Sequence, residues 1–215
     1  MLDNFKFELY YNYLTEQNKI HNLTAITERE DVWTKHFEDS IAAADIIPSG
    51  AGVLDIGAGA GFPSVPLKIV RGDIVVTMLD GVKKKAEFLN GLIKLLELDG
   101  ITAAHGRVEE RRAAAAQDNF DVSVARAVAR LNILCEYALP FVKIGGIFIA
   151  YKSSDIDGEL AEAQNALKIL GGEIDNIKEY TLGGGIKRKL VIIRKARQSP
   201  DKYPRGGNKP RLKPL

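Results

Sequence analysis

Cysteine is almost absent from this 215-residue chain: Cys135 stands alone. A single cysteine excludes an internal disulfide and fits a reducing compartment. Histidine is nearly as scarce, and His21, His36 and His105 show no metal-ligand spacing. No metal is therefore expected. No apolar run approaches the length needed to span a bilayer. The opening Met1-Leu-Asp-Asn-Phe-Lys has no basic region followed by an apolar stretch, so neither an export signal nor a membrane role is expected, and a cytoplasmic location follows. Low-complexity blocks and internal repeats are also missing. What is present is an ordinary globular balance, 46% hydrophobic and 27% charged, which excludes a disordered chain.

Positive charge is scarce at one end and concentrated at the other. Residues 1–50 hold 4 Lys/Arg against 9 Asp/Glu, and residues 183–215 hold 11 Lys/Arg against one Asp, so a chain of net charge +2 is strongly polar along its length. A basic terminus on a near-neutral body suits either an anionic partner such as nucleic acid or a solvated tail.

The N-terminal fifth reads as helical. Phe5, Leu9 and Tyr13 fall at helical spacing over residues 3–18, with Leu2, Tyr10 and Leu14 beside them, and a second helix is predicted over residues 28–47, before Pro48. From residue 52 strands and helices alternate. Strands are predicted at 53–56, 74–79, 101–104, 120–125 and 146–151, and helices at 64–70, 84–98, 131–142 and 155–170. Such alternation predicts a parallel sheet covered on both faces. Residues 173–181 and 188–194 read as two further strands with no room for a helix between them, so this pair is expected to be antiparallel. Five alternating units plus such a pair predict an α/β, Rossmann-like class I methyltransferase fold, with a seven-stranded mostly parallel sheet and an N-terminal helical extension. The expected organisation is a helical extension over 1–50, a cofactor-binding domain over 51–197 and a basic arm over 198–215. With four prolines between 200 and 214, the arm is expected to be extended, neither helix nor central strand.

The strongest local signal is Asp55-Ile-Gly57-Ala-Gly59-Ala-Gly61-Phe62-Pro63, which ends the first strand and opens the first helix of the sheet domain. Glycines there let a ligand approach the backbone. A dinucleotide asks for G-x-G-x-x-G, whose helix N-terminus meets a pyrophosphate. Here the spacing is G-x-G-x-G with an acid before it, which suits S-adenosylmethionine: that cofactor has no phosphate but carries an amino group. Asp80 ends the second strand 19 residues after Gly61, where an acid can bind ribose hydroxyls or serve as a simple turn residue. The loop after the third strand, His105-Gly-Arg107-Val108-Glu109, lies beside the adenine in such a fold, and Val108 and Glu109 are its candidate contacts. Arg126 ends the fourth strand, at the edge where a substrate would meet the methyl group, and suits a positioning role or a surface ion pair.

The methyl acceptor is approached through absences. An Asn/Asp-Pro-Pro-aromatic loop, common in transfer to exocyclic base amines, is replaced by Ala125-Arg-Ala-Val128. Transfer to pyrimidine carbon needs a cysteine nucleophile, and Cys135 sits in an apolar helical pattern that reads as core. No general base is expected. Ring nitrogen 7 of guanine would need none, because its lone pair is exposed and no proton is lost; positioning and electrostatics would suffice.

Several segments together make the chain resemble the glucose-inhibited division protein B family, the bacterial small-subunit rRNA guanine-7 methyltransferases. They are Asn22-Leu-Thr24, His36-Phe-Glu-Asp-Ser-Ile41, the Asp55–Pro63 loop, Val124-Ala-Arg-Ala-Val-Ala129 and the terminal Lys202-Tyr-Pro-Arg205 arm with Lys209-Pro and Lys213-Pro-Leu215. The resemblance covers nearly the whole chain in order. It implies cofactor contacts at Gly57, Phe62, Val108, Glu109 and Arg126, with S-adenosylhomocysteine as product, and a substrate in 16S rRNA of the small ribosomal subunit. In that setting Lys202, Arg205, Lys209, Arg211 and Lys213 would track rRNA phosphates and Tyr203 would be free to stack. A monomer is expected. Two other classes compete: a ribosome-binding module without catalysis, and a nicotinamide dehydrogenase, against which the glycine spacing argues.

Overall fold

A computed structural model describes residues 4–113 and 119–215; Leu2, placed on the first helix by its spacing, lies outside them. The chain opens with α1 (Asn4–His21), and α2 (Arg29–Val32) runs through a π-helical stretch, Trp33–Glu38, into α3 (Asp39–Ile41). The buried stripe of α1 matches the expected apolar set in part, with Leu9 and Tyr13 half-buried against the core. Its buried residues are Phe7, Tyr10 and Leu14, while Phe5 is 71% exposed. Both sides of α1 carry apolar residues, so spacing alone could not choose between them. The partner rings choose: Phe7 and Tyr10 pack on Phe37 at 4.8 and 5.2 Å between centroids, and Tyr13 stacks on Phe88 at 5.2 Å.

The alternating core follows as β1 (Gly52–Ile56), α4 (Ser64–Val70), β2 (Val75–Asp80), α5 (Lys83–Leu95), β3 (Ile101–His105), β4 (Phe120–Arg126), α6 (Leu131–Ala138), β5 (Val142–Ser153), α7 (Asp157–Leu170), β6 (Gly172–Leu182) and β7 (Ile186–Lys195). The seven strands form one sheet in the order β3-β2-β1-β4-β5-β7-β6. The pairs among β1 to β5 are parallel, and β7 runs antiparallel to both β5 and β6, as the sequence predicts. Alternate residues feed two cores. Val53, Val76, Met78 and Val124 pack beneath the N-terminal helices, α4 and α5 on one face, and Leu54, Ile56, Leu79 and Ala125 pack against α6 and α7 on the other. Burial on both faces explains why these strands are rich in Val, Ile and Leu.

Three helices end earlier than the sequence pattern suggests: the second N-terminal one, predicted to residue 47, ends with α3 at Ile41. α5 stops at Leu95 because Glu97 takes φ +50°, outside the right-handed region. α6 stops at Ala138 and gives way to a 3₁₀ turn, Leu139–Phe141, where Pro140 cannot donate a helical hydrogen bond. α7 closes on Gly171 in the left-handed conformation.

The C-terminal arm corrects an expectation. It is neither extended throughout nor free of helix: it folds back on α6 and forms α8 (Lys209–Leu212). Pro210 sits in the first turn of α8, where its missing N–H costs no helical bond. Tyr203 and Pro210 are buried.

Candidate active site

The parallel part of the sheet reverses direction between β1 and β4, since β2 and β3 lie to one side and β5 to the other. A crevice outside the carboxyl ends of the strands is expected at such a point. The structure has one there, a cleft of about 380 Å³. That volume lies within the range of small-molecule sites, roughly 300–1,000 Å³. Ile56 and Gly57 line it from β1, Leu79, Asp80 and Val82 from β2 and the turn after it, and Val108 and Glu109 from the loop after β3. Its other walls are Ala127 and Val128 after β4, Tyr137 on α6, and Asn208 and Arg211 from the arm.

Each wall has a local cause. Gly57 takes φ +74°, and a Cβ there would lie 2.7 Å from Val128 Cγ2. Only glycine keeps the loop open at that point. Asp80 is buried, and its carboxylate ties two turns together: Gly59 N–H donates to Oδ2 at 2.9 Å and Val82 N–H to Oδ1 at 2.9 Å. A carboxylate has about four acceptor sites, so two are left for a ligand. Glu109 is also buried, with Arg107 Nη1 3.8 Å from its Oε1. Tyr137 is buried too; burial raises its phenol above the ordinary value, and the Arg211 guanidinium facing it offsets part of that rise.

The structure brings Gly57, Asp80, Val108 and Glu109 together in the cleft and places the other sequence candidates beneath it or beside it. Gly61 serves packing, because a Cβ there would lie 2.6 Å from the Tyr10 hydroxyl. Phe62 is 6% exposed, stacked on His36 at 4.3 Å and on Tyr10 at 5.3 Å. The Arg126 guanidinium lies 5.0 Å from the Phe62 ring centre and donates to Asp39 Oδ2 at 2.8 Å and to the Lys35 carbonyl at 3.2 Å, with His36 Nδ1 3.0 Å away. Arg126 thus binds the N-terminal segment to the end of β4. His36 also meets the Thr24 hydroxyl at 2.9 Å. Burial first, and then the charge of Arg126, pushes His36 down to about 3, so the ring is neutral.

Asp55 is fully buried under the glycine loop, and neither of its oxygens has a hydrogen-bond partner among the described residues. Burial pushes its carboxyl up to about 7. Ser64 faces it and counters part of the rise without completing a hydrogen bond. Two acceptor atoms without partners are costly in a core, and such groups concentrate at functional sites.

The arm residues divide. Lys202, Lys209, Arg211 and Lys213 are exposed. Arg205 is not a free cation: its backbone N–H, Nε and Nη2 donate to the buried Glu136 carboxylate at 2.8, 2.9 and 2.6 Å. The expectation of a Tyr203 ring free to stack is corrected, since that ring is 5% exposed and belongs to the core around α6. Cys135 is fully buried and its thiol is pushed up to about 12 by that burial, in keeping with a core residue. Among the described residues no group of His, Cys, Asp and Glu is placed to hold a metal ion, and no helix is long and apolar enough to cross a membrane.

Sequence reasoning missed Val128, Tyr137 and Asn208 as walls of the cleft. Val128 stood in the quoted loop without a role, Tyr137 read as core, and Asn208 carried no signal.

Known proteins match the chain over most of its length. A family model described as rRNA small subunit methyltransferase G matches residues 3–191. A protein named ribosomal RNA small subunit methyltransferase G from Leuconostoc mesenteroides is 44% identical over 98% of this chain and 90% of its own. One of the same name from Lachnoclostridium phytofermentans is 46% identical over 98% of this chain and 88% of its own. Among solved structures, M. jannaschii TYW2 in complex with AdoMet superposes with a TM-score of 0.60 at 15% identity, covering 74% of this chain and 76% of that one, which shows a shared fold.

Proposed function

The chain belongs to the rRNA small subunit methyltransferase G family, and from that premise we propose that it transfers a methyl group from S-adenosylmethionine to ring nitrogen 7 of one guanine in small-subunit rRNA. The observation that carries the reading is the cleft at the sheet's reversal point, where a glycine without room for a Cβ faces two buried carboxylates.

The residues fit the cofactor. S-adenosylmethionine, when bound, supplies a methyl group made electrophilic by a positively charged sulfur. Asp80 has two free acceptor sites for ribose hydroxyls, and its bonds to Gly59 and Val82 hold it in place beforehand. Such preorganisation lowers the cost of binding. Gly57 leaves the floor open, and Val108, Leu79 and Tyr137 give apolar walls for a base. Asp80 and Glu109 share the lining with Lys85, Arg107 and Arg211, so the fit rests on the ribose acceptors and the apolar walls rather than on net charge. Asp55, with two unpartnered oxygens beneath the loop, leaves hydrogen-bonding capacity under the site.

The acceptor follows from what the chain must do. Attack by guanine nitrogen 7 needs no deprotonation, so the chain's task is to hold the two reactants in line and keep water out. Lys202, Lys209 and Lys213, exposed on the arm, are cations available to rRNA phosphates.

Calorimetry with S-adenosylmethionine tests the reading. The wild type is expected to bind, and Gly57→Val, which drives its side chain into Val128, to lose binding while still unfolding cooperatively. A folded wild type that gives no heat with the cofactor would remove catalysis and leave a ribosome-binding module. Mass mapping of 16S rRNA from cells lacking the protein is expected to show one missing methylguanine.

A further inference from the structure

The arm presents two kinds of cation. Lys202, Lys209 and Lys213 are exposed outside the cleft lining, whereas Arg211, equally basic in the sequence, helps to wall the cleft with Asn208. We propose that Asn208 and Arg211 form the outer wall of the nucleoside end of this cleft and hold the purine base of the cofactor, so that the arm is part of the cofactor site. The proposal rests on the reading of the cleft as an S-adenosylmethionine site.

Anchoring comes first. Glu136 on α6 is fully buried and takes three hydrogen bonds from Arg205. The same Arg205 Nη2 donates to the Lys213 carbonyl at 2.9 Å. Residues 205 and 213 are therefore fixed to each other and to α6, and the segment between them, which carries Asn208 and Arg211, is a closed loop. Pro210 is buried under it. A loop held at both ends has already lost much of the freedom that ligand binding would otherwise remove.

Position and chemistry come next. Arg107 Nη1 reaches Asn208 Oδ1 at 3.4 Å, which joins the arm to the loop after β3. Asn208 and Arg211 thus line the same cleft as Asp80 and Glu109. At this position Asp80 and Glu109 stand among the cations Lys85, Arg107 and Arg211, so charge alone does not choose the ligand. Leu79, Val108 and Tyr137 make the position hospitable to a flat apolar ring. A guanidinium is planar and stacks on such a ring, and the Asn208 amide offers both a donor and an acceptor to its edge. The ligand chemistry that satisfies the apolar walls, the guanidinium and the amide is a purine nucleoside.

The test compares S-adenosylmethionine with methylthioadenosine, which keeps the nucleoside and lacks the amino-acid part. Calorimetry on the full chain is expected to show Arg211→Ala weakening both ligands by about tenfold, the size of one desolvated cation–π contact. Asn208→Ala should weaken both by a smaller factor. Asp201→Ala, exposed on the same arm and outside the cleft lining, should change neither. Both arm variants are at exposed positions and should unfold at the wild-type temperature. Tryptic cleavage of the Arg211–Leu212 bond should slow when methylthioadenosine is added to the wild type. Wild-type affinity for both ligands in Arg211→Ala and Asn208→Ala, with unprotected cleavage, would overturn the proposal while leaving the cofactor reading standing. Failure of the wild type to bind either ligand would overturn both.

Discussion

Residues 4–47 and residues 199–215 both fold back on the sheet domain, but the first segment is held mainly by rings and the second mainly by a few polar ties. In the N-terminal segment Phe7, Tyr10, Leu14 and Phe37 are buried and continue into Phe62 and the sheet core. In the arm only a few side chains are buried, and the polar ties include Arg205 to Glu136 and the Ser199 hydroxyl to the Leu170 carbonyl. Hydrophobic burial is spread over many atoms and scales with area, so the N-terminal segment belongs to the global core. An ion pair is concentrated at one point and depends on both partners, so the arm behaves as a local unit that one substitution can release.

Breaking the ring cluster should have the largest effect. Tyr10→Ala removes a fully buried ring that stacks on Phe62 and whose hydroxyl donates to the Ala60 carbonyl in the glycine loop. A loss of about 3–5 kcal/mol of global stability is expected in denaturant titration, with cofactor binding impaired because the loop loses its support. Glu136→Gln should cost less, about 2 kcal/mol, since Arg205 keeps some access to water. Its signature should be faster proteolysis of the arm than of α1. If Glu136→Gln unfolds the whole protein as readily as Tyr10→Ala, the contrast between a core segment and a releasable arm is wrong.

The pH dependence sharpens the same comparison, because the titrating groups lie on the N-terminal side. The His36 ring is depressed from 6.5 to about 3 by burial and then by Arg126. In that window the unfolded chain binds a proton that the folded protein does not, so acidification costs stability. Asp55 is raised from 3.8 to about 7, chiefly by burial. Here the folded protein keeps a proton that the unfolded chain releases, so a rise in pH costs stability. The two oppose each other across the overlap. Asp55→Asn should remove the second contribution: the ligand-free variant's Tm should rise between pH 5 and 7, where the opposed contributions keep that of the wild type nearly level. Parallel curves for the two proteins would show that Asp55 does not titrate there.

The smallest structural effect belongs to the exposed lysines. Lys202→Ala and Lys213→Ala should each change stability by less than about 0.5 kcal/mol, yet each should flatten the salt dependence of rRNA binding by about one counterion. An unchanged salt slope in the double variant would exclude these side chains from phosphate contact.

Much of the fold was legible before any coordinate. The β-branched runs and their spacing marked all seven strands, and the short link between the last two strands required their antiparallel pairing. Asp55, the glycine loop and Asp80 were legible as a group, because a strand that ends in an acid and opens on glycines has few uses. The face of α1 was not legible, since apolar residues occur all round it and only Phe37 and Phe88 decide which side is inside.

What the sequence by itself determined was local: where strands and helices lie, which turn must be glycine, and that charge is divided between the two ends. Those depend on neighbours along the chain, through periodicity, backbone sterics and simple counting. What only the tertiary structure decided was which of several similar residues meet. Phe62 and Arg126 went under the N-terminal helices, Arg205 went to Glu136 some 69 residues away, and Arg211 went to the cleft. A lone arginine in a basic arm carries no mark of its partner, because pairing over such separations is fixed by packing of the whole chain.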